Sequence, residues 1–200
     1  VGYKNYAAEY IEPLKRMIAS DQVHAKQYQD ILNNIENPQA SNGKNGNYYM
    51  WRSGYASHMR NGYGVNIKMD SDEIIGGEWR GSWPNGNQGQ LIYWTSSAAS
   101  TISVDGDEYT TVYPTYDWAH CPGTTTAARV VQDYSNAGRF TNGTSHTIGV
   151  SNGQYGATAY AMDKKGTQVN KGYFFFDDEI VALGSGITSS ESTEIHTTLN

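Results

Sequence analysis

The sequence predicts a mainly β fold, an antiparallel sheet system preceded by one or two α-helices, and three observations carry that prediction. Apolar residues repeat at three- and four-residue steps only between positions 3 and 37. Beyond Tyr48, short runs rich in β-branched and aromatic residues alternate with Gly- and Asn-rich turns. The chain is polar, with mean hydropathy −0.64, yet it carries 16 Tyr and 5 Trp, a share of aromatics that only a packed core explains.

The helical stretch comes first. Tyr6, Tyr10, Leu14, Met17 and Ile18 share one helical face, and Tyr28, Ile31, Leu32 and Ile35 share another, which predicts two short helices broken near Ser20 and Asp21. Asp21 is placed to cap the second helix, and Pro38 falls where that helix must stop. A Ser/Asn/Gly loop at 41–47 then marks a change of character, dividing a helical part at 1–40 from a β part at 41–200.

Strands are predicted at 63–69, 90–94, 100–104, 110–114, 157–162, 172–176 and 179–183. The stretches 104–109 and 176–180 read as hairpin ends, because Asp and Gly tolerate tight-turn backbone angles. Phe174, Phe175 and Phe176, with no polar residue between them, read as a strand buried on both faces. Seven or more such strands close as two packed sheets, and the pattern predicts an unpaired edge near Asn200 where the sheet continues with other residues.

Composition narrows the function classes. A net charge of −6 and a pI of about 5.3 give no field that attracts phosphate backbones, so nucleic acid is not the expected partner. No apolar run approaches the roughly 20 residues of a spanning helix, and no leader opens the chain, so a soluble, already processed protein is expected. Cys121 is the single cysteine, which excludes an internal disulfide and a cysteine-based zinc site. Asp177-Asp178-Glu179 lacks the alternating acids of a calcium loop and reads as a solvated hairpin end. The glycosylation triplet Asn142-Gly143-Thr144 is short enough to arise by chance.

Gly106-Asp107-Glu108-Tyr109, followed by Trp118 and Pro122-Gly123-Thr124-Thr125, resembles the G-x-E-Y and W-x-x-x-PGTT stretches of the hyaluronate, chondroitin and xanthan lyases, in the same order. Stretches 171–187 and 78–87 resemble the same family, so that the likeness covers nearly the whole chain. The resemblance implies a galactose-mutarotase-like β-supersandwich, with residues 1–40 as the last helices of an α/α toroid. It also implies a secreted enzyme that cleaves uronic-acid polysaccharides by β-elimination. In that reaction a base removes the proton beside the carboxylate, the enolate charge is stabilised, and the glycosidic oxygen leaves. No metal or organic cofactor is required. The family's Asn, His, Tyr and Arg lie on an upstream helical part that this chain lacks. The implied partners are therefore an acidic polysaccharide and either that missing helical domain or a partner chain that completes the sheet.

By the same resemblance, Glu78 and Asn85 match the glutamate and asparagine of the family's E-x-x-N-G-E-N segment, in which the glutamate orients cleft groups and the asparagine bonds the sugar. The chain departs from the pattern twice: residues 79–84 separate the two, and Asn87-Gln88 replaces Glu-Asn. The insertion brings Trp79, Arg80 and Trp83, whose flat faces and guanidinium fork suit a sugar ring and its carboxylate, with Asn87 alongside. Each has an ordinary alternative: a surface carboxylate, an Asn-Gly turn, tryptophans that cover a core. Tyr55, His58 and Arg60 suggest base, acid and clamp from chemistry alone. The resemblance moves the catalytic Tyr and His elsewhere and leaves His58 and Arg60 a structural or cleft-edge role. His120 beside Cys121 suggests a thiol pair, but no third group accompanies it. The competing reading of the whole chain is a non-catalytic carbohydrate-binding or surface-structural β protein built on the lyase scaffold.

Overall fold

The computed structural model describes residues 9–37, 45–76, 92–104, 106–109, 111–128 and 142–199. Two helices, α1 (Ile11–Ser20) and α2 (Ala25–Glu36), pack on one another, each burying one leucine, Leu14 and Leu32. The break falls where it is predicted, but Asp21 ends α1 rather than opening α2. Its Oδ1 accepts the backbone N–H groups of Val23 and His24, and its Oδ2 accepts His24 Nδ1 at 2.8 Å and the Tyr28 hydroxyl at 3.1 Å. His24 is the N-cap of α2 and makes no side-chain capping bond, so the turn between the helices, not the helix, is what Asp21 organises.

Three sheets follow among the described residues. Strands β1 (Gly46–Met50), β2 (Tyr55–Arg60), β3 (Tyr63–Met69) and β4 (Ser97–Ser103) form an antiparallel meander. Strands β6 (Thr147–Ser151), β7 (Gly156–Lys164), β8 (Thr167–Phe175) and β9 (Ile180–Ser189) form a second one. Between them in sequence lies β5 (Thr125–Ala127), which pairs with β10 (Ile195–Thr197). The two meanders share one core: Ala56, Val65, Ile67 and Met69 from the first meet Tyr160, Met162, Val169 and Phe175 from the second, with Tyr93 and Trp94 between.

Several expected elements take another form. Residues 90–94 are not a strand where they are described: Ile92–Trp94 is a 3-10 turn that buries Tyr93 and Trp94. A second such turn, Tyr113–Thr115, stands where a strand is expected at 110–114. Short apolar runs do not separate these cases by periodicity. The stretch 104–109 is consequently a loop end rather than a hairpin, held by Glu108, whose carboxylate accepts Val104 N at 2.5 Å and Gly106 N at 2.9 Å. The phenylalanine run is buried on one face only. Phe175 is 1% exposed while Phe174 and Phe176 are 41% and 43% exposed, because β8 sits in a sheet with one face on the core. Among the described residues β10, near the end of the chain, is an edge strand paired with β5 alone, and β9 is an edge strand too, exposed along nearly its whole length. Beside it an apolar groove of about 330 Å³ runs between β9, β4 and the residues after β10.

The Pro-Gly-Thr-Thr-Thr stretch has a structural cause. Gly123 adopts φ +80°, and a side chain there would strike Ala98 O and Ser100 N of β4, so only glycine lets this segment lie against the sheet. The three threonines behind it are buried, their hydroxyls bonded to Cys121 O (2.7 Å), Thr197 Oγ1 (2.9 Å) and Ala119 O (3.0 Å). Asn142 is also buried; its amide donates to Ala161 O at 2.6 Å, which closes that triplet to a glycan.

His58 and Arg60, on β2, link the two meanders. His58 has no exposed surface; Nε2 donates to Phe176 O at 2.8 Å and Nδ1 accepts from the Asn47 amide at 3.2 Å, a pattern only the neutral ring satisfies. Burial holds the imidazole below its usual 6.5. The sign follows: below pH 6.5 the unfolded chain takes up a proton that the folded ring refuses, so this site costs stability as the medium acidifies. Denaturant titrations between pH 7.5 and 5 should show the native chain losing up to about 1.4 kcal/mol per pH unit more than His58→Gln; parallel losses would remove His58 as the cause.

Candidate functional site

A pocket of about 180 Å³ lies on the outer face of the first meander, with the core residue Cys121 in its lining. Strand alternation builds its floor. Cross-strand partners Tyr55 and Lys68, then Lys68 and Ala99, bring β2, β3 and β4 together on one face, with Asn66 and Thr101 one step along. The loop that the Pro-Gly turn pins against β4 supplies the wall: Tyr116 and Trp118, ring centroids 4.8 Å apart and tilted by 58°, with Tyr109 nearby.

Lys68 is the cation of this pocket. Its Nζ donates to Ser53 O at 2.6 Å and Met69 O at 3.1 Å, which engages two of three ammonium hydrogens. Burial holds its pKa below the usual 10.5, with the Asp70 charge opposing and the Lys164 charge adding. Two carbonyls leave one ammonium hydrogen for an anionic group, and the aromatic side chains that line the same pocket can stack a flat polar ring, the combination that a sugar acid presents.

The pocket stands at the root of the 77–91 segment. That segment leaves after β3 and returns at Ile92, next to Thr95, which lines the pocket. Both stems are fixed: Ser96 Oγ donates to Gly76 O and to Asp70 Oδ2 (3.3 Å), while Asp70 accepts Tyr160 OH at 2.7 Å and Lys164 Nζ at 2.6 Å. Glu78, Trp79, Arg80, Trp83, Asn85 and Asn87 lie outside the described residues.

His58 and Arg60 do not reach this face. Alternation turns them to the opposite side of β2, where Arg60 donates to Asp177 Oδ1 (3.0 Å), Met59 O (3.0 Å) and Gln154 O (2.6 Å) and is 9% exposed. The same alternation brings Tyr55, Asn66 and Lys68 to the pocket face. Sequence reasoning names only Tyr55 of these and misses Lys68. The signal for it was present: a lysine on the outward register of a strand, cross-strand from a tyrosine.

Residues 45–200 match the family described as polysaccharide lyase family 8, super-sandwich domain. The chain belongs to that family. Among curated relatives of this lyase-family chain, chondroitinase-AC of Pedobacter heparinus is 32% identical over 198 residues, covering 93% of this chain and 27% of the relative. A solved chondroitinase AC lyase is 29% identical with TM-score 0.82, covering 97% of this chain and 28% of that one. A Streptomyces coelicolor A3 chondroitin AC lyase in complex with chondroitin sulphate (23% identical, TM-score 0.69, 94% and 27% covered) and a Paenibacillus xanthan lyase (23%, 0.70, 86% and 16%) share the fold. This lyase-family chain thus spans little more than a quarter of the chondroitinases it matches.

The remaining nucleophile is inert. Cys121 is 1% exposed, its Sγ faces Trp118 O at 3.6 Å, and burial pushes the thiol up to about 11. His120 engages Asp117 Oδ2 at 2.7 Å instead. Among the described residues no group of three His, Cys, Asp or Glu side chains is placed to hold a metal ion. At pH 8 the native chain should react with a disulfide reagent at least ~100-fold more slowly than the unfolded chain, followed by thiol absorbance; equal rates would contradict the burial of Cys121.

Proposed function

We propose that this chain forms the β-sheet wall of the substrate groove in a secreted lyase that cleaves uronic-acid polysaccharides of the chondroitin, hyaluronan or xanthan type by β-elimination. Residues 1–40 belong, in this reading, to the end of a helical toroid whose preceding helices carry the proton transfer, and 41–200 to the sandwich domain. The observation that carries the reading is the aromatic pocket with Lys68 at the root of the 77–91 segment, in a chain 32% identical to a chondroitinase.

The division of labour follows from chemistry. An acidic polymer approaching a chain of net charge −6 needs a local cation, and Lys68 provides one. Arg80 extends that role, Trp79 and Trp83 stack on sugar rings, and Asn85 and Asn87 bond hydroxyl or carboxylate oxygens as the enolate charge develops. Glu78 orients neighbouring groups of the cleft. His58 and Arg60 support the groove from beneath through their links to the second meander.

The test exchanges the corresponding segment of the Pedobacter chondroitinase-AC for this chain and follows ultraviolet absorbance of unsaturated uronic products from chondroitin sulfate, hyaluronan and xanthan. The isolated chain should bind one of these polymers without an absorbance rise, and the chimera should restore it. Glu78→Ala or Asn85→Ala in the chimera should lower kcat about 10²-fold. A chimera that folds yet neither binds nor cleaves any of the three would refute the assignment.

A further inference from the structure

The turn that joins β1 to β2 carries Trp51, 67% exposed, with the Arg52 guanidinium 5.0 Å from its ring centroid. At that exposure the indole offers a flat apolar face to solvent beside a planar fork of donors. Among the described residues no carboxylate pairs with Arg52. Within the described residues the two side chains therefore present a flat apolar face and a fork of donors that no carboxylate engages.

The turn beneath them is fixed in place. Met69 N donates to Gly54 O at 2.7 Å, Ser53 N to Met50 O at 3.1 Å, and Lys68 Nζ to Ser53 O at 2.6 Å. Gly54 adopts φ +56°, and a side chain there would run into Met69 O, so glycine alone lets the turn seat this closely on β3. The platform is thus joined to the pocket through Lys68, whose ammonium bonds the turn and whose side chain lines the pocket.

We infer that Trp51 and Arg52 form an additional subsite for the same polymer, taking a sugar unit beyond those seated in the Lys68 pocket. The indole stacks on the apolar face of the ring, and the guanidinium pairs with the carboxylate or sulfate of that unit or its neighbour. This inference rests on the proposed polysaccharide-groove reading and adds to it a length requirement: only a chain long enough to span pocket and turn uses both.

The experiment titrates the 200-residue chain with a chondroitin sulfate tetrasaccharide and a dodecasaccharide by calorimetry. It compares the native chain with Trp51→Ala, Arg52→Gln and Trp51→Tyr, and circular dichroism confirms the fold of each. The native chain should prefer the longer ligand by about 10-fold. Trp51→Ala and Arg52→Gln should erase that preference and leave tetrasaccharide affinity unchanged, and Trp51→Tyr should keep most of it. If both ligands bind the native chain and every variant keeps the same preference, the subsite is refuted while the groove stands. If neither ligand binds the native chain, the groove reading falls and the subsite with it.

Discussion

The pairing of Asp70 with Lys164 holds the two meanders and the candidate site in register. Both residues are fully buried, the Nζ to Oδ2 distance is 2.6 Å, and each partner is otherwise satisfied: Asp70 by Tyr160 OH, Lys164 by Tyr93 O (3.2 Å) and Ser97 Oγ (3.1 Å). Lys164 also lies 4.5 Å from the Tyr93 ring centroid. Taking two charges out of water costs several kcal/mol per ion, and only such complete hydrogen bonding repays it. Four chain segments meet there: the end of β3, the 3-10 turn at Ile92–Trp94, the start of β4 and the end of β7.

That location ties stability to function. The 77–91 segment, which carries most of the residues proposed to touch sugar, begins and ends on this ion pair through Gly76, Ser96 and Tyr93. Beside it, Ala98 adopts φ +61° where the β3–β4 register shifts between Lys68 and Met69, while alternation along β3 puts Lys68 on the outer face. The inner face of the first meander makes the core, and its outer face makes the pocket. Strand alternation separates the two tasks, so that His58 and Arg60 serve the core while Tyr55, Asn66 and Lys68 serve the pocket.

Much of this was legible in the sequence, and the failures have physical causes. β3 and β7 were readable as β-rich runs between turns, and β8 was readable only in its second half, as an apolar run. β1 was not, because its buried position Asn47 is polar and finds its partner in His58 only through the fold. β6 escaped because a short edge strand with exposed Ile148 and Val150 shows no inward pattern. The apolar run before Thr95 looked like a strand, although its burial comes from wedging Tyr93 and Trp94 beside Lys164. The family likeness was readable from Trp118 and the Pro-Gly-Thr-Thr stretch, which mark the loop that walls the pocket. Asp70 and Lys164 were invisible, being single charges 94 residues apart that no local pattern connects.

The most direct test is a double-mutant cycle on that pair, with unfolding free energies of Asp70→Asn, Lys164→Met and the double variant from denaturant titration. Each single substitution leaves a buried charge without its partner and should cost about 3–5 kcal/mol, and the double should cost well below the sum because it removes both charges together. Single losses below about 1 kcal/mol, or strictly additive ones, would contradict the claim that this ion pair holds the sheets and the site together.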